Sequence, residues 1–167
     1  MRHRDRPDTA KPAAAEVVEL LRQRSATIAT AESLTGGRLA ALLTEISGSS
    51  EVYRGGVVAY ATDVKIAVLD VPETVVEQHG VVSADCAMAM AQGVRRLAGA
   101  TYAVSTTGVA GPEEQEGKPV GTVYVGLAGP DGDSAVALEL VGDRGTIQDR
   151  TCREALGALA DRLRAPG

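Results

Sequence analysis

The chain predicts an α/β fold of three layers, α/β/α, around a mixed and mostly parallel sheet of about five strands. Three observations lead there. Short apolar runs alternate with stretches of helical periodicity, and two of those runs end in glycine-bearing loops. Late in the chain, two strand-like segments flank Pro130-Asp131-Gly132-Asp133, which reads as a hairpin turn. The succession of elements thus combines crossover units with one antiparallel hairpin and calls for helices on both faces.

Residues 1–12 are polar, carry two prolines and lack periodicity, so they read as a disordered tail before one domain over 13–167. Val17, Leu20 and Leu21 recur at helical spacing to about Arg24. Thr27 to Ala31 forms a buried strand, Glu32 to Gly37 a tight loop, and Arg38 to Ile46 a helix. A strand over Val52 to Ala61 contains Gly55-Gly56, which marks a bulge or a close backbone approach. Helices follow at Asp63 to Leu69, Glu73 to Gln78 and, capped by Ser83, Ala84 to Leu97. Thr101 to Ser105 is a strand running into the loop Thr106 to Pro112. Glu113 to Lys118 reads as exposed. Strands over Gly121 to Ala128 and Ala135 to Val141 form the hairpin, and a helix from Thr146 to Leu163 ends the fold after the loop Gly142 to Gly145.

Composition narrows the function classes. The 167 residues hold 17 Lys and Arg against 22 Asp and Glu, a net charge of −5, and only 2% aromatic residues. Base-stacking platforms over a basic groove are therefore not expected, nor is binding to nucleic acid or an anionic membrane. Cys86 and Cys152 form no CxxC pair and have no histidine cluster beside them, so they read as buried small hydrophobes in a reducing cytoplasm. No uninterrupted apolar stretch suits a secretory signal or a membrane span.

In open sheets of this kind, ligands sit beyond the carboxyl ends of strands. Two loops have that location. Ser33, Thr35, Gly36 and Gly37 bring hydroxyls and glycine amides to a helix start, suited to an anion or oxyanion, although Ser and Thr there also read as ordinary helix caps. Thr107, Gly108, Ala110 and Gly111 resemble a nest around a phosphate or ribose, or a plain turn needing positive φ. Taken singly, Lys65 reads as a solvated lysine, Tyr60 as a core-edge residue, and Arg144 as either a ligand group or a surface partner of Asp143. His3 and His79 are too isolated for a triad.

Taken together, AESLTGG (31–37), GGVVAYATDVK (55–65), HGVVS (79–83), TGVAGP (107–112), KPVGTVYVGLA (118–128) and GDR (142–144) resemble the CinA carboxyl-terminal domain family, the nicotinamide-nucleotide amidohydrolases. The likeness covers about residues 13–164, with the motifs in family order. It implies a CinA-like fold of the anticodon-binding-domain kind. It also implies hydrolysis of the carboxamide of nicotinamide mononucleotide to nicotinate mononucleotide and ammonia, in cytoplasmic pyridine nucleotide salvage. No metal or other cofactor is implied, and the expected partners are the nucleotide substrate and a second copy of the chain in a homodimer.

The resemblance further implies that Ser33 is the nucleophile and Lys65 its partner in a Ser-Lys dyad, with Tyr60 a third site residue. Thr107 and Arg144 would belong to the substrate pocket. Amide hydrolysis without metal or histidine needs a nucleophile, a proton acceptor and an oxyanion trap. Lys65 acts as the base only if its free amine is populated, through desolvation or a cationic neighbour such as the substrate's pyridinium. The amides of Thr35, Gly36 and Gly37 would hold the oxyanion, while Tyr60 positions Lys65 or relays its proton. Thr107, Gly108, Ala110 and Gly111 with Arg144 would fix ribose and phosphate.

Three positions depart from the family pattern. Leu34 stands where cysteine is common, so that thiol is dispensable; the loop Glu113 to Gly117 is shorter and more acidic than in the family, which weakens the case for Lys118 as a phosphate contact; and Gln148 replaces a frequent arginine, so that the phosphate grip is weaker or supplied by Arg150. The alternative reading is a catalytically inactive nucleotide-binding regulatory module.

Overall fold

A computed structural model describes residues 10–166. Its strands are β1 (Ile28–Glu32), β2 (Tyr53–Val58), β3 (Tyr102–Gly108), β4 (Thr122–Gly129) and β5 (Gly132–Glu139), in one sheet of order β2-β1-β3-β4-β5. β1 pairs in parallel with β2 and β3, whereas β3–β4 and β4–β5 are antiparallel. The sheet is mixed as expected, but its pairings divide evenly rather than being mostly parallel. The cause is the return of β4 beside β3, which the hairpin then extends to the edge.

The helices are α1 (Ala10–Gln23), α2 (Arg38–Thr44), α3 (Thr62–Leu69), α4 (Glu73–His79), α5 (Ala84–Ala98) and α6 (Arg144–Arg164). Leu21, Leu39, Leu43, Leu156, Leu159 and Leu163 join α1, α2 and α6 in one core against Ile28 and Val104 of the sheet. Leu69, Cys86, Met90 and Val94 pack from α3 and α5 against Ala29, Ala31 and Ala103, and Val75 and Val76 of α4 join that second core. Alternate residues of β1 thus enter opposite cores, and all five are buried. This delivers the three-layer architecture.

Boundary differences have local causes. Residues 1–9 of the expected tail lie outside the described residues, and Ala10–Pro12 form the first turn of α1, where proline costs no hydrogen bond. β3 runs on to Gly108 because Thr106, Thr107 and Gly108 keep pairing with β4. β5 begins at Gly132, since Gly129 pairs directly with Gly132 across a two-residue turn. Helix α6 starts at Arg144, two residues early, because the Asp143 carboxylate accepts the Thr146 N–H at 2.8 Å and caps it.

At β2 both parts of the expectation for Gly55-Gly56 hold. The register shifts between Ile28 and Ala29, and a Cβ on Gly56 would lie 2.2 Å from Thr30 Oγ1. Among the described residues no helix is long and apolar enough to cross a membrane.

Candidate active site

Beyond the carboxyl ends of β1 and β3 lies a cleft of about 350 Å³. The chain leaves β1 for β2 by way of α2 on one face and reaches β3 by way of α5 on the other, so the cleft sits where the crossovers diverge. Ser33, Tyr60, Lys65 and Arg144 all line it, together with Thr107, Gly108, Ala110 and Gly111.

Ser33 is the first residue past β1. Its N–H donates to Thr106 O at 3.0 Å, extending the ladder, and its carbonyl accepts the Gly36 N–H at 3.1 Å, closing a turn. Gly36 and Gly37 both have positive φ, 56° and 101°, which lets the chain reverse into α2 without a steric penalty. Neither Ser33 nor Thr35 caps that helix. Gly37 occupies the cap with no side-chain bond, and the amides of Leu39 and Ala40 donate instead to the Glu32 carboxylate, at 2.8 and 3.1 Å.

Glu32 also accepts from Thr35 Oγ1 at 2.6 Å, and Thr35 Oγ1 lies 2.8 Å from Thr106 Oγ1. The Thr35 hydroxyl is therefore spent inside the fold, and Thr35, Gly36 and Gly37 do not line the cleft. A buried carboxylate neutralises the helix start that an oxyanion would otherwise use. Glu32 was not singled out from sequence; its only signal there was a lone charge ending an apolar run.

Lys65, on α3, is 2% exposed rather than solvated. Its Nζ donates to Ser33 Oγ at 3.0 Å and to the carbonyl of Tyr60, also at 3.0 Å. Burial pushes its amine below the ordinary 10.5, against smaller upward pulls from Cys86 and Glu116. Cys86, behind it on α5, is held up at about 11, chiefly by burial, so that thiol is neutral near pH 7. Serine hydroxyl and amine can therefore exchange a proton in a water-poor recess.

Tyr60 is 62% exposed rather than at the core edge. Its main chain, not its phenol, holds Lys65. The Tyr60 hydroxyl accepts from Arg144 at 2.9 Å, and the same guanidinium donates to Gly111 O at 2.5 Å. Arg144 thereby spans the cleft mouth from α6, with exposed N–H groups in a planar fork. Thr107 Oγ1 donates to Val81 O at 2.7 Å, so it braces another lining residue of the cleft.

Gln148 does not face the cleft; its amide donates to Leu34 O at 2.8 Å and steadies the Ser33 turn from α6. Lys118 donates to Val82 O, and neither it nor Arg150 lines the cleft. Eight further lining residues were not among the expected site residues: Leu34, Thr62, Val81, Val82, Val109, Pro112, Glu113 and Gln115. Among the described residues no His, Cys, Asp and Glu side chains group as a metal site would require.

Known proteins place this arrangement in a family. Residues 10–163 match the profile of the CinA C-terminal domain. A CinA-like protein of Frankia casuarinae is 54% identical over 140 residues, covering 84% of this chain and 32% of that protein. A putative competence-damage inducible protein of Geobacillus is 47% identical over 151 residues, 90% of this chain and 36% of the relative. The chain thus spans about a third of the length of these curated relatives. The crystal structure of competence damage-inducible protein A (ComA) from Klebsiella pneumoniae superposes with a TM-score of 0.90 at 35% identity, over 92% of this chain and 96% of that one. With the family profile, the relatives and the solved fold in agreement, the chain belongs to the CinA C-terminal domain family.

Proposed function

We propose that the chain hydrolyses the carboxamide of nicotinamide mononucleotide to nicotinate mononucleotide and ammonia through a Ser33–Lys65 dyad. The observation that carries this reading is the 3.0 Å contact between Lys65 Nζ and Ser33 Oγ, with the amine buried and its basicity lowered, at the floor of a cleft sized for a mononucleotide.

In the acylation half, the free amine of Lys65 takes the Ser33 proton as Oγ bonds to the carboxamide carbon. The oxygen of the tetrahedral adduct gathers negative charge. Because the Gly36 amide is committed to Ser33 O, those of Leu39 and Ala40 to Glu32, and neither Thr35 nor Gly37 lines the cleft, the donor for that oxygen is the amide of Leu34. Collapse breaks the C–N bond, and the departing nitrogen takes the proton from Lys65 and leaves as ammonia. Water then adds to the acyl ester with Lys65 again as base, which frees nicotinate mononucleotide and restores the Ser33 hydroxyl.

Arg144 presents its fork where the 5′-phosphate would reach the cleft mouth, and the pyridinium of the substrate disfavours a second positive charge on Lys65. The same reading carries the expectations of a cytoplasmic homodimer in nucleotide salvage.

The test is ammonia release from nicotinamide mononucleotide by the purified chain. Wild type is expected to turn over and Ser33→Ala to fall by about a thousandfold while still binding the nucleotide. Nucleotide binding by a folded wild type without ammonia release would instead identify a binding module. A second expected outcome concerns Arg144→Ala, which removes a ground-state contact and should raise KM about tenfold with kcat changed less than twofold. An unchanged KM would remove Arg144 from the phosphate contact.

A further inference from the structure

Val81 and Val82, between α4 and α5, line the cleft; the Gly80 N–H donates to Val76 O and Ser83 O accepts the Ala87 N–H, so the flanking residues are tied to the two helices. The main chain of Val81 and Val82 is held by side chains from elsewhere. The Glu116 carboxylate accepts the N–H groups of Val81 and Val82, at 2.8 and 3.2 Å. Thr107 Oγ1 and Lys118 Nζ donate to the carbonyls of those two residues. Ser83 Oγ donates to Gly80 O at 2.8 Å and accepts the Cys86 N–H that opens α5. Val81 and Val82 are buried and face the same cleft as Ser33 and Lys65.

Glu116 itself sits at φ 55°, a left-handed conformation that a non-glycine residue adopts at a cost, ahead of Gly117 at φ 70°. A Cβ on Gly80 would come within 2.3 Å of its Oε2. The loop Glu113 to Gly117 is exposed, as the sequence predicts, and from it the Glu116 side chain, 30% exposed, reaches back to the Val81–Val82 main chain.

We propose that Glu116 is a positioning residue of this site: its carboxylate reaches from the β3–β4 loop to clamp the Val81–Val82 main chain as the cleft wall beside Ser33 and Lys65. A carboxylate suits the task because its two oxygens match two N–H donors with charge-assisted bonds. It also leaves a negative charge facing Lys65. Among the described residues, the neutral Cys86 thiol from α5 also bears on that amine, Tyr60, Glu113 and Arg144 line the same cleft, and Lys118, 3.9 Å from Glu116, offsets part of the carboxylate's charge. The clamp stands independently of the amidase reading, which supplies only the kinetic readout.

The decisive variant is Glu116→Gln, which has one acceptor oxygen for two donors and no charge. In hydrogen exchange on the ligand-free chain, the Val81 and Val82 amides should exchange about tenfold faster, with the interior of α5 unchanged. In ammonia release from nicotinamide mononucleotide, KM should rise, and the acidic limb of the pH–rate profile should move to lower pH, since losing the carboxylate favours the free amine of Lys65. Glu116→Asp, which keeps charge and two oxygens, should recover part of the protection and the wild-type limb. Unchanged exchange at both amides overturns the proposal, as does faster exchange with KM and limb both unmoved. If wild type releases no ammonia, the amidase reading fails and the exchange result alone judges the clamp.

Discussion

Lys65→Met should yield a folded protein whose ammonia release is lower by about a thousandfold or more. Methionine nearly matches the lysine stem in volume and fills the same recess, so the substitution removes the amine without opening a cavity. What disappears is the only basic nitrogen bonded to Ser33 Oγ among the described residues. Stability should not fall with activity. Burying an ammonium at 2% exposure costs free energy that two hydrogen bonds only partly return, so the variant should be at least as stable as wild type at pH 7.

The sign of the pH dependence follows from the lowered basicity of Lys65. Between its folded value and 10.5 the unfolded chain binds more protons there, so that residue's contribution to stability rises with pH across the window and levels off above 10.5. The advantage of Lys65→Met over wild type in urea denaturation should therefore shrink as pH approaches 10.5. Cys86 works the other way, with stability falling between its ordinary 9.0 and about 11, and because Lys65 pulls that value down, the comparison is read below pH 9.0, where the thiol is neutral in both proteins. A variant that unfolds at pH 7, or one that keeps wild-type turnover, would contradict this role for Lys65.

Glu32→Gln should carry the largest stability loss among the polar substitutions at the site, about 3 kcal/mol in urea denaturation with an unchanged m-value. The carboxylate is 1% exposed and accepts from the Thr35 hydroxyl and from the Leu39 and Ala40 amides. A glutamine offers one oxygen and turns an NH2 toward a donor, leaving a buried N–H without a partner at the start of α2. The charge that complements that helix terminus goes as well. Because Ser33 lies on the turn that these bonds brace, kcat should fall together with stability. A loss under about 1 kcal/mol would mean that water or a rearranged turn replaces the carboxylate.

Elements with a strong local period were legible in the sequence. The alternation of buried strands and amphipathic helices marked every helix from α1 to α6 and all five strands within a few residues. The misplaced ends trace to single groups, such as the Asp143 cap that starts α6 early and the two-residue turn that starts β5 early. The site was less legible. Lysine is ordinarily solvated, so only the family likeness suggested Lys65, and its burial depends on α3 packing against α5 through contacts absent from local spacing. There a Cβ on Gly93 would meet Leu69 O at 1.8 Å.

The capping reading of Ser33 and Thr35 was sound chemistry overruled by a neighbour, because Glu32 takes the amides a cap would have served. Glu32, Glu116 and Gln148 share one property: each bonds main-chain groups that only the folded topology brings near. No pattern of residue types along the chain announces such contacts.

The most direct measurement is the titration of the Lys65 side-chain amine, followed by NMR with labelled lysine and assigned by its loss in Lys65→Met, beside the pH–rate profile for ammonia release. A midpoint below 10.5 that coincides with the acidic limb of kcat/KM is the expected result. An amine that titrates at or above 10.5, or a limb indifferent to it, would contradict proton transfer between Ser33 and Lys65.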